Sequence, residues 1–156
     1  MILDFKRKIV SAGRHQGHLR MLAHAVKTGN RQSLEEAAHL LASFCNRNQV
    51  LVPVPNHDGD AGWTYKLAIL IASICGATVC DALQGFPRES SHDAKVAGRD
   101  IKSKVWFYKI PDIDCPAHNV VLIDNCFATG ATIEAARKAL NLPNAPALTI
   151  TNAKRA

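Results

Sequence analysis

The sequence predicts an α/β fold of three layers, α/β/α, with a central, mostly parallel sheet of about five strands and a helical N-terminal segment. Strand-like and helix-like patterns alternate from residue 49 onwards, which is typical of a parallel sheet covered by helices on both faces. Two strand-like runs end abruptly, one at Pro55 and one at Asp124. Ligands of such folds bind beyond the carboxyl ends of the strands. A chain of this length is normally one domain, so we expect a single domain over residues 1–156. Its site is expected at the edge of the sheet where the strands before Pro55 and Asp124 end.

Residues 1–48 are predicted to be helical. Apolar side chains recur at helical spacing between residues 17 and 29, and Gly29 can end this helix. Ser33 with Glu36 three residues later matches a capping box and predicts the start of a second helix.

The remaining chain, residues 49–151, is predicted to form the α/β core. Short apolar or β-branched runs bounded by proline, glycine or an acid predict strands at 49–55, 77–83, 105–110, 119–124 and 147–151. Helical patterns are found at 63–75 and 131–140. Residues 85–104 carry many charges without periodicity, which predicts a mobile loop.

Composition narrows the class of protein. The chain has no apolar run near the roughly 20 residues that span a bilayer and no N-terminal apolar segment typical of secretion. Its five cysteines form no C-x-x-C pair, which favours reduced thiols in a cytoplasmic protein without a membrane partner. Residues 1–31 hold seven basic residues against one acid. This excess is typical of a solvated helix face, and it leaves nucleic acid open as a partner.

The stretch VVLIDNCFATGAT, residues 120–132, carries the strongest functional signal. A helix that begins after Gly130 offers free backbone N–H groups and a partial positive charge. Thr129 and Thr132 add hydroxyl groups, so the turn suits one phosphate monoester. Asp124 can accept hydrogen bonds from sugar hydroxyls. Together the acid and the turn predict a site for a 5-phosphoribosyl group, although an acid at a helix cap beside a structural turn would look the same.

The same stretch resembles the phosphoribosyl pyrophosphate (PRPP) motif of type I phosphoribosyltransferases, in which an apolar strand and two acids precede a T/D-T-G-x-T loop. The resemblance extends to the ComF family, which carries a K-x-G segment and helix like AVKTGNRQSLEEAAHLLASF and a strand and loop like VLVPVPNHDGDAG. PRESSHDAKVAGRDIKSKVWF is similar to that family's basic stretch. The resemblance covers residues 20–151. Asn125 stands where the family has a second acid, and the N-terminal zinc ribbon of many members is absent.

The resemblance implies a role for each part of the site. The catalytic set comprises Asp124 and Asn125, which would meet the ribose, with Arg88 and Lys95 from a loop that would close over it. The 5-phosphate would be bound by Ala128, Thr129, Gly130, Ala131 and Thr132. The pyrophosphate would lie against Pro55, Asn56 and His57. Mg²⁺ would arrive on the pyrophosphate, without metal ligands from the protein.

The implied activity is transfer of a phosphoribosyl group from PRPP to a nitrogenous base or amine, with release of pyrophosphate. A non-catalytic module of the same fold that binds PRPP or a nucleotide is the first alternative. A DNA-associated, competence-like protein is the second. Dimers are common in the family, so a second copy of the chain is a further expected partner.

Overall fold

The computed structural model describes residues 1–90, 96–99 and 105–153. Its strands are β1 (Ile2–Asp4), β2 (Ile9–Arg14), β3 (Val50–Pro53), β4 (Thr78–Val79), β5 (Leu83–Gly85), β6 (Phe107–Lys109), β7 (Val120–Phe127) and β8 (Ala147–Asn152). Its helices are α1 (Gly17–Lys27), α2 (Arg31–Ala42), α3 (Gly62–Cys75) and α4 (Ala131–Leu140). No helix within the described ranges has the length and apolar content needed to cross a membrane.

Six strands form one sheet in the order β1-β2-β8-β7-β3-β4. Every neighbouring pair is parallel except β1 and β2. The prediction of an α/β fold with a mostly parallel sheet is therefore confirmed, with six strands in place of about five.

The N-terminal segment differs from the prediction because its first part is extended. β1 and β2 form an antiparallel hairpin, and β2 pairs in parallel with β8. Ile9 and Ser11 are buried in β2. The strand IVSAGR has small and polar residues at positions where a strand normally alternates with apolar ones. The segment therefore lacks the two-residue period that predicts a strand. The helical description of residues 1–48 holds only from Gly17 onwards.

The strand predicted at 77–83 is divided between two sheets. β4 belongs to the main sheet, whereas β5 pairs with β6 in a separate antiparallel sheet that places Gln84 opposite Tyr108. The chain leaves the main sheet at Asp81, between the two short strands. The strand predicted at 105–110 is therefore not part of the central sheet.

The start of α2 also differs from the prediction. The side chain of Asn30 accepts a hydrogen bond from the Ser33 N–H at 2.9 Å, so Asn30 is the N-cap. The Glu36 carboxylate pairs with His18 at 2.5 Å and does not close a capping box. Asparagine and serine are both strong N-cap residues. Asn30 caps the helix because it directly precedes Arg31, the first residue of α2, whereas Ser33 lies within the first turn.

The two faces of the sheet have separate hydrophobic cores. Leu51, Ile123 and Ile150 pack with the apolar sides of α1, α2 and α3. Val52 and Leu122, their neighbours on the opposite face, pack with α4, β5 and β6. This alternation along buried strands fixes the register of the sheet and the position of its carboxyl edge.

Candidate functional site

The candidate site lies at the carboxyl ends of β3 and β7, which are adjacent and parallel. Pro53 is opposite Ile123 in the register, and the Val54 N–H donates to the Ile123 carbonyl at 3.0 Å. The chain leaves β3 towards β4 on one side and leaves β7 towards β8 on the other. In parallel sheets ligands bind where the connections diverge in this way. Pro55 and Asp124 come to the same edge, as the sequence predicted.

Asp124 lies inside β7 and not at its end. The strand continues to Phe127, and Asp124 and Cys126 are opposite Thr149 and Thr151 of β8. Polar residues ended the apolar run in the sequence, but pairing with β8 carries the backbone three residues further. The acid is consequently buried, with 9% of its surface exposed.

Burial dominates the electrostatics of Asp124. It raises the pKa of this carboxyl from 3.8 to about 6. The Asn125 N–H, which donates to Asp124 Oδ1 at 2.7 Å, and the cations Lys27 and Arg88 oppose this rise in pKa. A carboxylate that feels two cations yet is largely removed from water is suited to accept hydrogen bonds from a ligand that displaces the remaining solvent.

Asn125 links β7 to α1. Its side-chain Nδ2 donates to the Ala23 carbonyl at 3.3 Å, and the residue is 7% exposed. A carboxylate at this position would place an acceptor against an acceptor. The contact with α1 therefore needs the amide group of Asn125.

The predicted phosphate turn connects β7 to α4. Gly130 has a φ of 88° and is followed by the first residue of α4. The Ala131 N–H donates to Thr129 Oγ1 at 3.3 Å, and the Glu134 N–H makes the first backbone bond, to the Gly130 carbonyl. The N–H groups of the first turn thus have no backbone acceptor in the helix. Ala128 and Thr129 are exposed, whereas Ala131 and Thr132 are half-buried.

The loop after β3, residues 56–62, is held by its own hydrogen bonds. Asn56 Nδ2 donates to the Ala61 carbonyl at 3.0 Å, and the Thr64 hydroxyl donates to Asn56 Oδ1 at 3.1 Å. The Asn56 side chain therefore shapes the loop and is not free for a pyrophosphate. His57 is exposed, with Nε2 3.2 Å from an Asp58 oxygen.

Arg88 is anchored on this loop, and its charge acts on Asp124. Its N–H donates to the His57 carbonyl at 2.7 Å, and its Nη1 donates to the Asn56 carbonyl at 2.9 Å. The guanidinium lies 5.7 Å from the centre of the Phe107 ring. Burial lowers the pKa of Arg88, and Asp124 acts in the opposite direction. Lys95, the other predicted loop cation, lies outside the described residues.

Two residues that act on Asp124 or contact β7 were not assigned to the site from the sequence. Lys27, at the end of α1, acts on the charge of Asp124. His15 follows β2, and its Nδ1 is 2.9 Å from Thr151 Oγ1 and 3.7 Å from Cys126 Sγ. Lys27 could have been assigned from the sequence because it lies in the K-x-G segment. No motif in the sequence includes His15, so its place near β7 could not be predicted.

No group of three or more His, Cys, Asp or Glu side chains within the described ranges is arranged to hold a metal ion. Comparison of the chain with models of protein families and with curated proteins found no match to either.

Proposed function

We propose that this protein binds PRPP at the carboxyl edge of β3 and β7 and transfers its phosphoribosyl group to a nitrogenous acceptor, with the architecture of a type I phosphoribosyltransferase. The observation that carries the proposal is that β7 holds the buried Asp124 just beyond its last pair with β3 and leads, after Phe127, into the first turn of α4. A carboxylate binds ribose hydroxyls, and a helix N-terminus with a glycine turn binds phosphate.

The proposed reaction separates charge. As pyrophosphate leaves C1 of the ribose, positive charge develops on the sugar and negative charge on the leaving group. Asp124 would stabilise the former, and Arg88 with the Mg²⁺ that accompanies PRPP would stabilise the latter. The Arg88 guanidinium already donates to the Asn56 carbonyl, and its backbone N–H donates to the His57 carbonyl, so part of its side-chain entropy is lost before it acts.

The phosphate turn can be tested by calorimetric titration of Mg·PRPP. We expect Thr132→Val to weaken binding by about 1–3 kcal/mol, because a hydrogen bond to a charged group is lost. Thr78→Val is the matched control, since Thr78 is exposed in β4. Equal affinities of Thr132→Val and the parent protein would reject this phosphate site.

A non-catalytic PRPP-binding module is a second candidate. It is favoured by the internal hydrogen bonds of Asn56, which leave few side chains of the loop for a leaving pyrophosphate. Pyrophosphate release from Mg·PRPP with ammonium as the acceptor separates the two functions. Binding without release above the uncatalysed rate would assign the protein to this second class.

A further inference from the structure

The hairpin of β1 and β2 exposes apolar side chains at alternate positions. Met1, Leu3 and Phe5 have 71%, 41% and 82% of their surfaces accessible. Alternate residues of a strand point to the same face, so these side chains form one apolar row along β1, the edge strand of the main sheet. Single exposed apolar residues are common on proteins, whereas a row of this kind is a surface that a partner can cover.

The turn that follows β1 is basic. It consists of Phe5, Lys6, Arg7 and Lys8, which we call the hairpin tip, and both of its lysines are exposed. In the part of the chain that the structure describes, neither lysine forms an ion pair. The acid of β1, Asp4, accepts a hydrogen bond from the Arg7 N–H at 3.1 Å. The tip therefore offers positive charge directly beside the apolar row.

The end of α4 adds to this charge. Arg137 Nη2 donates to the Arg7 carbonyl at 2.6 Å, and Arg137 also pairs with Glu134, the acid of α4. The next residue, Lys138, is exposed. A further lysine thus lies on the helix that contacts the hairpin tip, and the carboxylate of that helix is already paired. Basic charge gathered in this way attracts an anionic surface.

The hairpin tip lies at the edge of the sheet opposite the candidate site. Ile9 and Ala147, the first residues of β2 and β8, are opposite each other, and the two strands are parallel. The turn before Ile9 is therefore at the amino edge of the parallel strands. The turn into α4 follows the carboxyl end of β7, so a partner bound at the tip would leave the candidate site uncovered.

An anionic lipid surface fits these features better than other partners do. Binding of single-stranded nucleic acid uses rings on which bases stack, and neither Met1 nor Leu3 has a ring. A second copy of the chain would bring its own lysines against Lys6 and Lys8, and like charges repel. By contrast, proteins attach to bilayer surfaces through apolar side chains at the boundary of headgroups and acyl chains, with lysines beside them at the headgroups.

We propose that the hairpin tip and the apolar row bind the surface of an anionic membrane, with Phe5 entering the bilayer boundary and Lys6 and Lys8 contacting the headgroups. A contact of this kind needs no membrane span, so the lack of a long apolar run in the sequence does not argue against it. The proposal is independent of PRPP binding and can be tested without PRPP.

The test uses the full chain and vesicles of phosphatidylcholine, with or without phosphatidylserine, separated from free protein by sedimentation at physiological ionic strength. We expect binding to the vesicles that contain phosphatidylserine and none to the others. Phe5→Ser should lower the partition coefficient about tenfold, near the lower end of what burial of a phenylalanine side chain provides. Phe5→Leu should keep most of the binding. Lys6→Gln should lower the coefficient about fivefold, the effect of one charge near an anionic surface.

Two variants are matched controls for these substitutions. Phe86 is also an exposed phenylalanine, with 59% of its surface accessible, and Lys66 is an exposed lysine on α3. Phe86→Ser and Lys66→Gln should therefore bind the vesicles as the parent protein does. Circular dichroism shows whether each variant is folded.

Three results would overturn the proposal. One is equal binding to vesicles with and without phosphatidylserine, and another is a loss in Phe86→Ser as large as that in Phe5→Ser. The third is binding of a single-stranded oligonucleotide, weakened by Phe5→Ser, when the vesicles are not bound; the hairpin tip would then be a nucleic-acid site. Vesicle binding by a protein that fails to bind Mg·PRPP would reject the proposed function and leave the lipid contact in place.

Discussion

At the scale of single residues, the burial of the Asp124 carboxylate lowers the stability of the folded protein. The carboxylate is ionised at neutral pH although the residue is 9% exposed, because its pKa is raised only to about 6. Lys27 and Arg88 offset part of the desolvation, but not all of it, since the pKa remains above 3.8. Residues that reduce stability in this way are common where a ligand completes the site.

We therefore predict that Asp124→Asn stabilises the ligand-free protein at pH 8. A folded-state pKa above the unfolded one means that the folded protein binds the proton more tightly, so stability falls as the pH rises from about 4 to about 6. The amide escapes this loss, worth up to about 3 kcal/mol for the full shift in pKa. Urea unfolding at pH 8 and pH 4 measures the free energy of unfolding, and the advantage of the variant should nearly vanish at pH 4.

Asp112→Asn is the control, because Asp112 is exposed. If Asp124→Asn is less stable than the parent at pH 8, the carboxylate stabilises the fold as a structural cap. It would then not be a desolvated group kept for a ligand.

At the scale of elements, the turn between β7 and α4 depends on Gly130. Its φ of 88° disfavours other residues, and an added Cβ would lie 3.2 Å from Phe127 Cε2. The backbone conformation of Gly130 therefore sets the direction in which α4 leaves the end of β7.

We predict that Gly130→Ala lowers the free energy of unfolding by about 1–2 kcal/mol through backbone strain and also weakens Mg·PRPP binding. Gly29→Ala is the matched control for stability, since Gly29 has a φ of 74° with nothing near its missing Cβ. Thermal unfolding and calorimetry measure the two effects. Equal losses of stability in the two variants, with unchanged PRPP affinity, would contradict a role for the turn beyond its backbone conformation.

The elements that the sequence predicted well are those with a clear apolar period. α1, α3 and α4 were found within two residues of their observed ends, because each places apolar side chains on a core. β2 was missed because Ser11 and Gly13 interrupt its pattern, and its place beside β8 depends on pairing across more than 130 residues. The end of β7 was misplaced because Asp124 and Asn125 look like loop residues, although they are paired within the sheet.

At the scale of the whole molecule, the site is assembled from distant segments. The Asp124 position and the α4 turn could be predicted because they lie in one motif. Lys27, Arg88 and His15 come from α1, the segment after β5, and the end of β2. Their approach to β7 follows from the strand order, in which β3 and β8 flank β7. No local pattern encodes that order, so these neighbours could be identified only in the folded chain.

Calorimetric titration of Mg·PRPP at pH 7.5 shows whether Asp124 and the α4 turn bind a phosphoribosyl group, as we propose. We expect saturable binding by the parent protein and by Asp112→Asn. We expect the affinity of Asp124→Asn for Mg·PRPP to be at least about tenfold lower, because a charged acceptor for the ribose hydroxyls is removed. Binding of Mg·PRPP by a folded Asp124→Asn as tight as that of the parent, or no binding by the parent, would contradict this proposal.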